Sequence, residues 1–411
     1  MNFLFISSIL GQTIGGTETL IARMSKWLSG HGHQVTLLAN TVGNYREIFP
    51  PELRIIVAGD ELFEYCYWRK SKTRLRRLQI TKPDVIKSFD LVASWISSVI
   101  ALRMEPSPKV MFGNYNPGIF PKSRNPLRQC SRRLLLRNLM LGYKDESILC
   151  MSTEQIADLQ RHCGTHRKVR FWPLPVSEPD NGGSPRKPQW GRLVSIGRLD
   201  PMKSYNLHMI NIVGRLRAEG YPVSWTVYGD GELRDAMKSR IDELGLNDDV
   251  QLMGQIAYSK IAEALRDAFL FVGMGTAVVE AALCGVPGIV ALAYGDTDAT
   301  YGPLYRFTFG NVGERMTQPP TSTIEGEIRR MLRLSESEYQ QEVFVTARCA
   351  QRYETEAGMR EFVALARRAA APKPRRALYY LYYLYSSLRR VLKKAPVGAS
   401  PDFYGRRERQ D

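Results

Sequence analysis

Cysteine is scarce and scattered. The six thiols among 411 residues (Cys66, Cys130, Cys150, Cys163, Cys284, Cys349) include no Cys-x-x-Cys pair and no zinc-like spacing. A disulfide scaffold and a zinc module are thereby excluded, and a reducing compartment is expected. Histidine is scarcer still: His31, His33, His162, His166 and His208 share no ligand spacing. No run of 18 apolar residues occurs, so no spanning helix is expected. Residues 2–10 carry no basic stretch before them and no small-x-small site after them, so they read as a buried first strand and not as a signal peptide. A Walker sequence and a Gly-x-Ser-x-Gly elbow are both missing.

Acidic residues are missing where it matters most. The chain has 57 Lys/Arg and 41 Asp/Glu, a net charge of +16. Residues 1–172 carry +12, residues 173–361 carry −5, and residues 362–401 hold nine cations and no acid. A basic front, an acidic middle and a basic end point to two dissimilar domains and a surface that meets a membrane or polyanion.

With 44% hydrophobic residues the chain can fill two cores. Apolar runs of strand length near 2–6, 34–39, 53–57, 85–89, 110–112, 148–151 and 169–171 alternate with helical periods. A Pro/Gly-rich stretch follows, and then strand-like runs near 193–196, 224–228, 250–253, 269–272 and 288–291. The expected organisation is α/β, with two doubly wound parallel sheets: a domain at 1–172, a linker at 173–190, a second domain at 191–345, a returning helix at 346–370 and a basic tail at 371–411. Such sheets bind ligands at the carboxyl ends of their strands.

Three segments at those ends carry chemistry. Gly15, Gly16 and Thr17 stand between the first strand and its helix, where main-chain N–H groups can meet an anion. A plain tight turn capped by Thr17 is the competing reading. Gly197, Arg198 and Lys203 follow the second domain's first strand; a planar guanidinium and a point-charge ammonium five residues apart suit a diphosphate. Gly273-Met274-Gly275-Thr276 then opens a helix carrying Glu280 on an apolar turn, and a carboxylate there needs partners such as ribose hydroxyls. Gly273-x-Gly275 with Asp296 also echoes a dinucleotide fingerprint, but Val278 replaces its third glycine and the strand is a late one. Asp296-Thr-Asp298 is read as a loop, so no metal site is expected.

Together these segments resemble the retaining GT-B glycosyltransferases, most closely glycosyltransferase family 4, over roughly residues 1–370. The family's Gly-Gly-x-Glu loop matches residues 15–18, and its GRLxxxKG segment matches residues 197–204 with Ser204 for the last glycine. Gly229, Asp230 and Gly254 match the strand ends near the nucleotide, and EGFGxxxxE matches residues 272–280. The resemblance implies a GT-B fold facing a cleft and transfer of a sugar from a nucleotide diphosphate sugar, UDP- or GDP-linked, with no other cofactor. In it Arg198 and Lys203 steady the leaving diphosphate, Gly15 and Gly16 close on the same phosphates, and Glu280 holds the ribose. Two departures stand out. Val272 replaces the glutamate that contacts the donor sugar, and Asn116 or Asn114 aligns with the family's active-site histidine.

The tail has its own signature. Leu378, Leu381, Leu384 and Leu388 form a helical stripe beside Tyr379, Tyr382 and Tyr385, bracketed by Arg375, Arg376, Arg389 and Arg390. Residues 69–77 and 122–137 each hold six further cations. Leucines edged by tyrosine and arginine describe a helix lying on an anionic membrane; packing on the protein's own core is the alternative. No nucleic-acid motif accompanies the charge. The family context adds a lipid-linked or glycan acceptor, polysaccharide or glycolipid assembly, and a cytoplasmic protein peripheral to the inner face of the cytoplasmic membrane. An inactive GT-B-like scaffold and a nucleotide-sugar epimerase are the rival functions.

Overall fold

The computed structural model of the chain describes residues 1–8, 10, 15–43, 46–58, 78–115, 126–163, 169–179, 186–373, 377, 378, 381 and 384. Two units partition it: one holds the chain as far as Trp172, except for a short stretch ending at Gly16, and takes it up again at Met359; the other holds Gly15, Gly16 and Pro173–Gly358.

The first unit is built on a seven-stranded sheet of β1 (Asn2–Ser7), β2 (Gln34–Ala39), β3 (Arg54–Val57), β4 (Val85–Ser88), β5 (Lys109–Asn114), β6 (Ile148–Cys150) and β7 (Arg170–Phe171). Its order is β3-β2-β1-β4-β5-β6-β7 and every pairing is parallel. A parallel sheet is covered on both faces, so its central strands are apolar on both sides. In β1, Leu4 and Ile6 join the core formed by helix α2 (Leu91–Ala101), after α1 (Gly16–Gly30) in the chain. Phe3 and Phe5 point the other way. Phe5 meets Phe89 at 5.3 Å between centroids, and Phe3 meets Phe362 at 5.8 Å.

Helix α2 is buried along its whole length, which its sequence tolerates because Ser94, Ser97 and Ser98 return their hydroxyls to carbonyls of the same helix. Asp90 caps it, accepting from the Ala93 N–H at 2.8 Å. The same carboxylate accepts from Ser8 N–H at 2.7 Å and Ser8 Oγ at 2.5 Å, tying the ends of β1 and β4 together. Helices α3 (Pro126–Gly142) and α4 (Thr153–Cys163) follow among the described residues.

The second unit carries β8 (Arg192–Ile196), β9 (Ser224–Tyr228), β10 (Val250–Gly254), β11 (Leu270–Gly273) and β12 (Gly288–Val290), ordered β10-β9-β8-β11-β12 and all parallel. Its helices are α5 (Tyr205–Ala218), α6 (Arg234–Glu243), α7 (Ile261–Leu265), α8 (Thr276–Leu283), α9 (Ile324–Leu332) and α10 (Glu336–Gln351), with a short antiparallel pair, β13 (Ala299–Thr300) and β14 (Ser322–Thr323). The indole of Trp225 donates to Ser195 Oγ at 2.9 Å, and Ser195 Oγ donates to the Val272 carbonyl at 2.6 Å, so a polar thread fastens β9, β8 and β11 inside an apolar core. Helix α11 (Thr355–Arg368) returns the chain to the first unit, where Phe362 packs at 5.5 Å from Trp172. Among the described residues no helix is long and apolar enough to cross a membrane.

Candidate active site

The carboxyl ends of β8, β9 and β10 are laced together through glycines. The Gly197 N–H donates to the Tyr228 carbonyl at 2.9 Å, and the Gly229 N–H donates to the Gly254 carbonyl at 2.7 Å. A side chain on Gly229 would collide with the Gly197 carbonyl, and one on Gly197 would collide with Lys203 Nζ. Glycine at 197 therefore does a specific job: it lets an ammonium lie against the main chain at the end of the central strand. Asp230 follows, its carboxylate accepting from the Gly231 N–H at 2.8 Å.

The segment after β8 builds the charged part of the site. Arg198 Nε lies 3.6 Å from Asp200 Oδ2. A short turn, Pro201–Lys203, closed by Lys203 N–H donating to the Asp200 carbonyl at 2.8 Å, carries Lys203 back over Gly197. The residue keeps partial solvent access, but its ammonium sits deep. Burial pushes it down to about 8; Asp200 and Glu280 act against that and Arg198 acts with it. Arg198, Asp200, Lys203 and Glu280 thus form one electrostatic group.

Ser204, where the family has glycine, uses its hydroxyl to reach the Gly295 carbonyl at 2.5 Å. The neighbouring Tyr294 N–H donates to the Met202 carbonyl at 2.8 Å, with Tyr294 in a left-handed conformation (φ 53°). The turn is held from the β12 side by these two bonds.

Helix α8 supplies the remaining residues. Gly273 ends β11, Met274 is buried, and Gly275 turns the chain at φ 77° while its N–H donates to the Val312 carbonyl at 2.7 Å. Thr276 is the first residue of the helix and is buried. Glu280 is 4% exposed, and its Oε1 accepts from the Tyr258 hydroxyl at 3.1 Å. Gly197, Arg198, Lys203, Gly229, Asp230, Gly254, Gly273, Met274, Gly275, Thr276 and Glu280 therefore all follow the carboxyl ends of strands in one sheet.

Gly15, Gly16 and Thr17 stand at the N-terminus of α1, and a side chain on Gly16 would meet open space. Asn116 lies outside the described residues, and Asn114 ends β5 opposite Cys150. Val272 is fully buried in the second unit's core, so a hydrocarbon fills the position where the resemblance has a sugar-binding carboxylate. Asp296 is an exposed loop residue 3.5 Å from Arg315, and among the described residues no group of three potential metal ligands occurs.

In the tail, Arg375, Arg376, Tyr379, Tyr382, Tyr385, Leu388, Arg389 and Arg390 lie outside the described residues. Leu378, placed on the membrane stripe by its period, is buried in the protein, while Leu381 and Leu384 are 50% and 60% exposed. Of the stripe's described leucines, Leu381 and Leu384 are the ones open to solvent.

Three residues had little or no signal. Tyr258 comes from a loop four residues beyond Gly254, and nothing in its neighbours marks it. Asp200 sits inside the Arg198–Lys203 segment and was legible only as a spacer. Lys87, on β4, is fully buried with its ammonium 5.4 Å from the Phe89 ring centre and 5.0 Å from that of Tyr115, and it has no hydrogen-bond partner among the described residues.

The family model described as Glycosyltransferase Family 4 matches residues 14–178, and that described as Glycosyl transferases group 1 matches residues 183–299. Together they span more than half of the chain. No curated protein sequence matches it. Among solved structures, sucrose-phosphate synthase from Thermosynechococcus elongatus aligns at a TM-score of 0.66 with 15% identity, covering 90% of this chain and 99% of that one. HepE from Anabaena, in complex with UDP and glucose, aligns at 0.60 with 14% identity, covering 89% and 98%. The pneumococcal O-GlcNAc transferase GtfA, in complex with UDP and GlcNAc, aligns at 0.60 with 10% identity, covering 90% and 99%. At such identities these structures show the fold, and the two family models show the kinship. The chain belongs to the glycosyltransferases of the group 1/family 4 type, built on the GT-B fold of two Rossmann-like domains.

Proposed function

We propose that this glycosyltransferase retains anomeric configuration, needs no metal, and moves a sugar from a UDP- or GDP-sugar to a lipid-linked or glycan acceptor. Its setting would be the inner face of the cytoplasmic membrane, in polysaccharide or glycolipid assembly. One observation carries the donor half of this reading: Lys203 lies against Gly197 beside Arg198 and within electrostatic reach of buried Glu280. Two cations fixed at a strand end, with a carboxylate behind them, match a diphosphate joined to a ribose. HepE and GtfA hold UDP beside a sugar, which favours UDP among the bases.

The chemistry follows from charge. When the bond from the sugar's anomeric carbon to the diphosphate oxygen breaks, its electron pair stays on that oxygen. The acceptor hydroxyl bonds to the same carbon from the same face, and its proton passes to the departing phosphate. Negative charge grows on the diphosphate throughout. Arg198 offers a planar fork to it and Lys203 a point charge, so both act most strongly where charge develops. Glu280 contributes binding and orientation through ribose hydroxyls. Because these fixed cations supply the neutralising charge, excess chelator should leave turnover unchanged.

Val272 favours a second reading, a sugar-binding subunit without turnover, since no carboxylate reaches the sugar from that position. A thermal-shift panel of UDP, GDP, ADP, CMP and dTDP with their sugars addresses the donor. One nucleotide should raise the melting temperature of wild type but neither that of Arg198→Ala nor that of Glu280→Ala. Release of that nucleotide in the presence of a glycolipid acceptor would then separate enzyme from binder. Silence across the whole panel would defeat the donor assignment.

A further inference from the structure

Glu280 is carried on a buried, otherwise apolar helix. Val278, Val279, Ala281 and Ala282 on its own helix are all buried. A carboxylate in such a place stays ionised only if donors satisfy it, and it points where those donors hold it. The donor that meets Oε1 comes from a distant part of the sheet. Tyr258 opens the single turn Tyr258–Lys260 after β10, at one edge, whereas α8 follows β11, and β9 and β8 lie between them.

The loop bearing Tyr258 is anchored at both ends. Before it, the Gly254 carbonyl accepts from the Gly229 N–H at 2.7 Å. After it, α7 buries Ile261, Ala262, Ala264 and Leu265. The phenol is thus carried across two strand ends on a fixed loop, and half-buried Tyr258 reaches Glu280 on a stiff side chain with only two rotatable bonds. A long, flexible donor such as lysine would neutralise Glu280. A tyrosine leaves it charged and fixes its plane.

We infer that Tyr258 is a positioning residue for nucleotide recognition: by donating to Glu280 Oε1 it fixes the carboxylate in the orientation that accepts ribose hydroxyls. It thereby sets the preference for ribo- over 2′-deoxyribonucleoside diphosphates. This rests on the reading of Glu280 as the ribose ligand. Tyr258 acts through Glu280, and its loss weakens the hydroxyl contacts while leaving the diphosphate contacts of Arg198 and Lys203 in place.

The test is calorimetric titration of the full chain with UDP and GDP, each beside its 2′-deoxy form. Wild type is expected to prefer the ribo form, and Glu280→Gln to lose that preference. Tyr258→Phe should weaken ribo binding by about 5–10-fold, as expected for loss of one hydrogen bond to a charged group. Its binding of the deoxy form should change by less than about 2-fold, so the ratio between the two falls. A merely structural role would weaken both forms equally.

Glu280→Asp, which withdraws the carboxylate by one methylene and leaves the tyrosine intact, serves if Tyr258→Phe does not fold. It should lower the same ratio, and where both singles fold the double variant should be no worse than either. A full ribo preference in Tyr258→Phe, with that preference lost in Glu280→Gln, would overturn the role of Tyr258 alone. A full preference in Glu280→Gln would overturn the ribose reading of Glu280 and this inference with it.

Discussion

At the residue scale, the proposed donor site rests on two cations that are not equivalent. Arg198 is a permanently charged fork paired loosely with Asp200, while Lys203 is a buried ammonium pushed down to about 8. Arg198→Ala should lower kcat by about 100-fold, the usual effect of removing one fixed donor to developing charge. Lys203 adds a pH dependence with a definite sign. Below about 8 the free site carries the ammonium; above it the site loses a positive charge before any ligand arrives. Nucleoside diphosphate affinity should therefore fall as pH rises through 8, and Lys203→Met should bind weakly at every pH and flatten that profile. An unchanged slope in Lys203→Met, read by titration between pH 6.5 and 9.5, would place the titrating group elsewhere.

At the element scale, strands were far more legible than contacts. The reading of residues 193–196 and 224–228 as strands agrees with β8 and β9 to within one residue, because each is an apolar run closed by a glycine that the backbone needs. The glycines of the donor site were legible for the same reason: Gly197, Gly229 and Gly275 lie where the chain must turn sharply or pass close to itself. Tyr258 was not legible, since its partner lies across two strands and only the sheet order brings the two together. Lys87 was not legible either. A lysine in a strand ordinarily reads as a solvated position, yet here it is fully buried on β4 and burial holds it well below its ordinary value.

Lys87 gives that scale its prediction. The folded state binds fewer protons than the unfolded chain between the two lysine values, so the first unit gains stability as pH rises toward the ordinary lysine value. At neutral pH the lysine costs the fold, and Lys87→Met, of similar length and without charge, should stabilise it. Melting of the first unit at pH 7 should rise by about 2–4 °C for each kcal/mol recovered, and the gap between variant and wild type should narrow toward pH 10. A variant that melts lower at pH 7 would show instead that the ammonium is satisfied in the native state.

At the scale of the whole molecule, charge is distributed by segment and not spread evenly. The net +16 arises from the first 172 residues and from residues 362–401, while the donor-binding part is acidic. A soluble donor needs local cations only, which Arg198 and Lys203 provide. On the proposed reading the remaining cations face an anionic membrane. The exposed leucines Leu381 and Leu384 follow buried Leu378 at the start of the tail, so apolar area is presented to solvent at the edge of a strongly basic segment. Basic charge gives long-range attraction that salt screens, and leucines give short-range burial that salt leaves intact. The full chain should therefore sediment with vesicles containing phosphatidylglycerol and not with pure phosphatidylcholine, and 0.5 M salt should weaken that binding. Replacing both Leu381 and Leu384 with Asp should reduce it by more than about 10-fold at low salt, since two buried side chains are lost and two repelling charges are gained. Binding that survives both substitutions would place the membrane contact on the cations alone, and absence of binding to anionic vesicles would remove the membrane from the account.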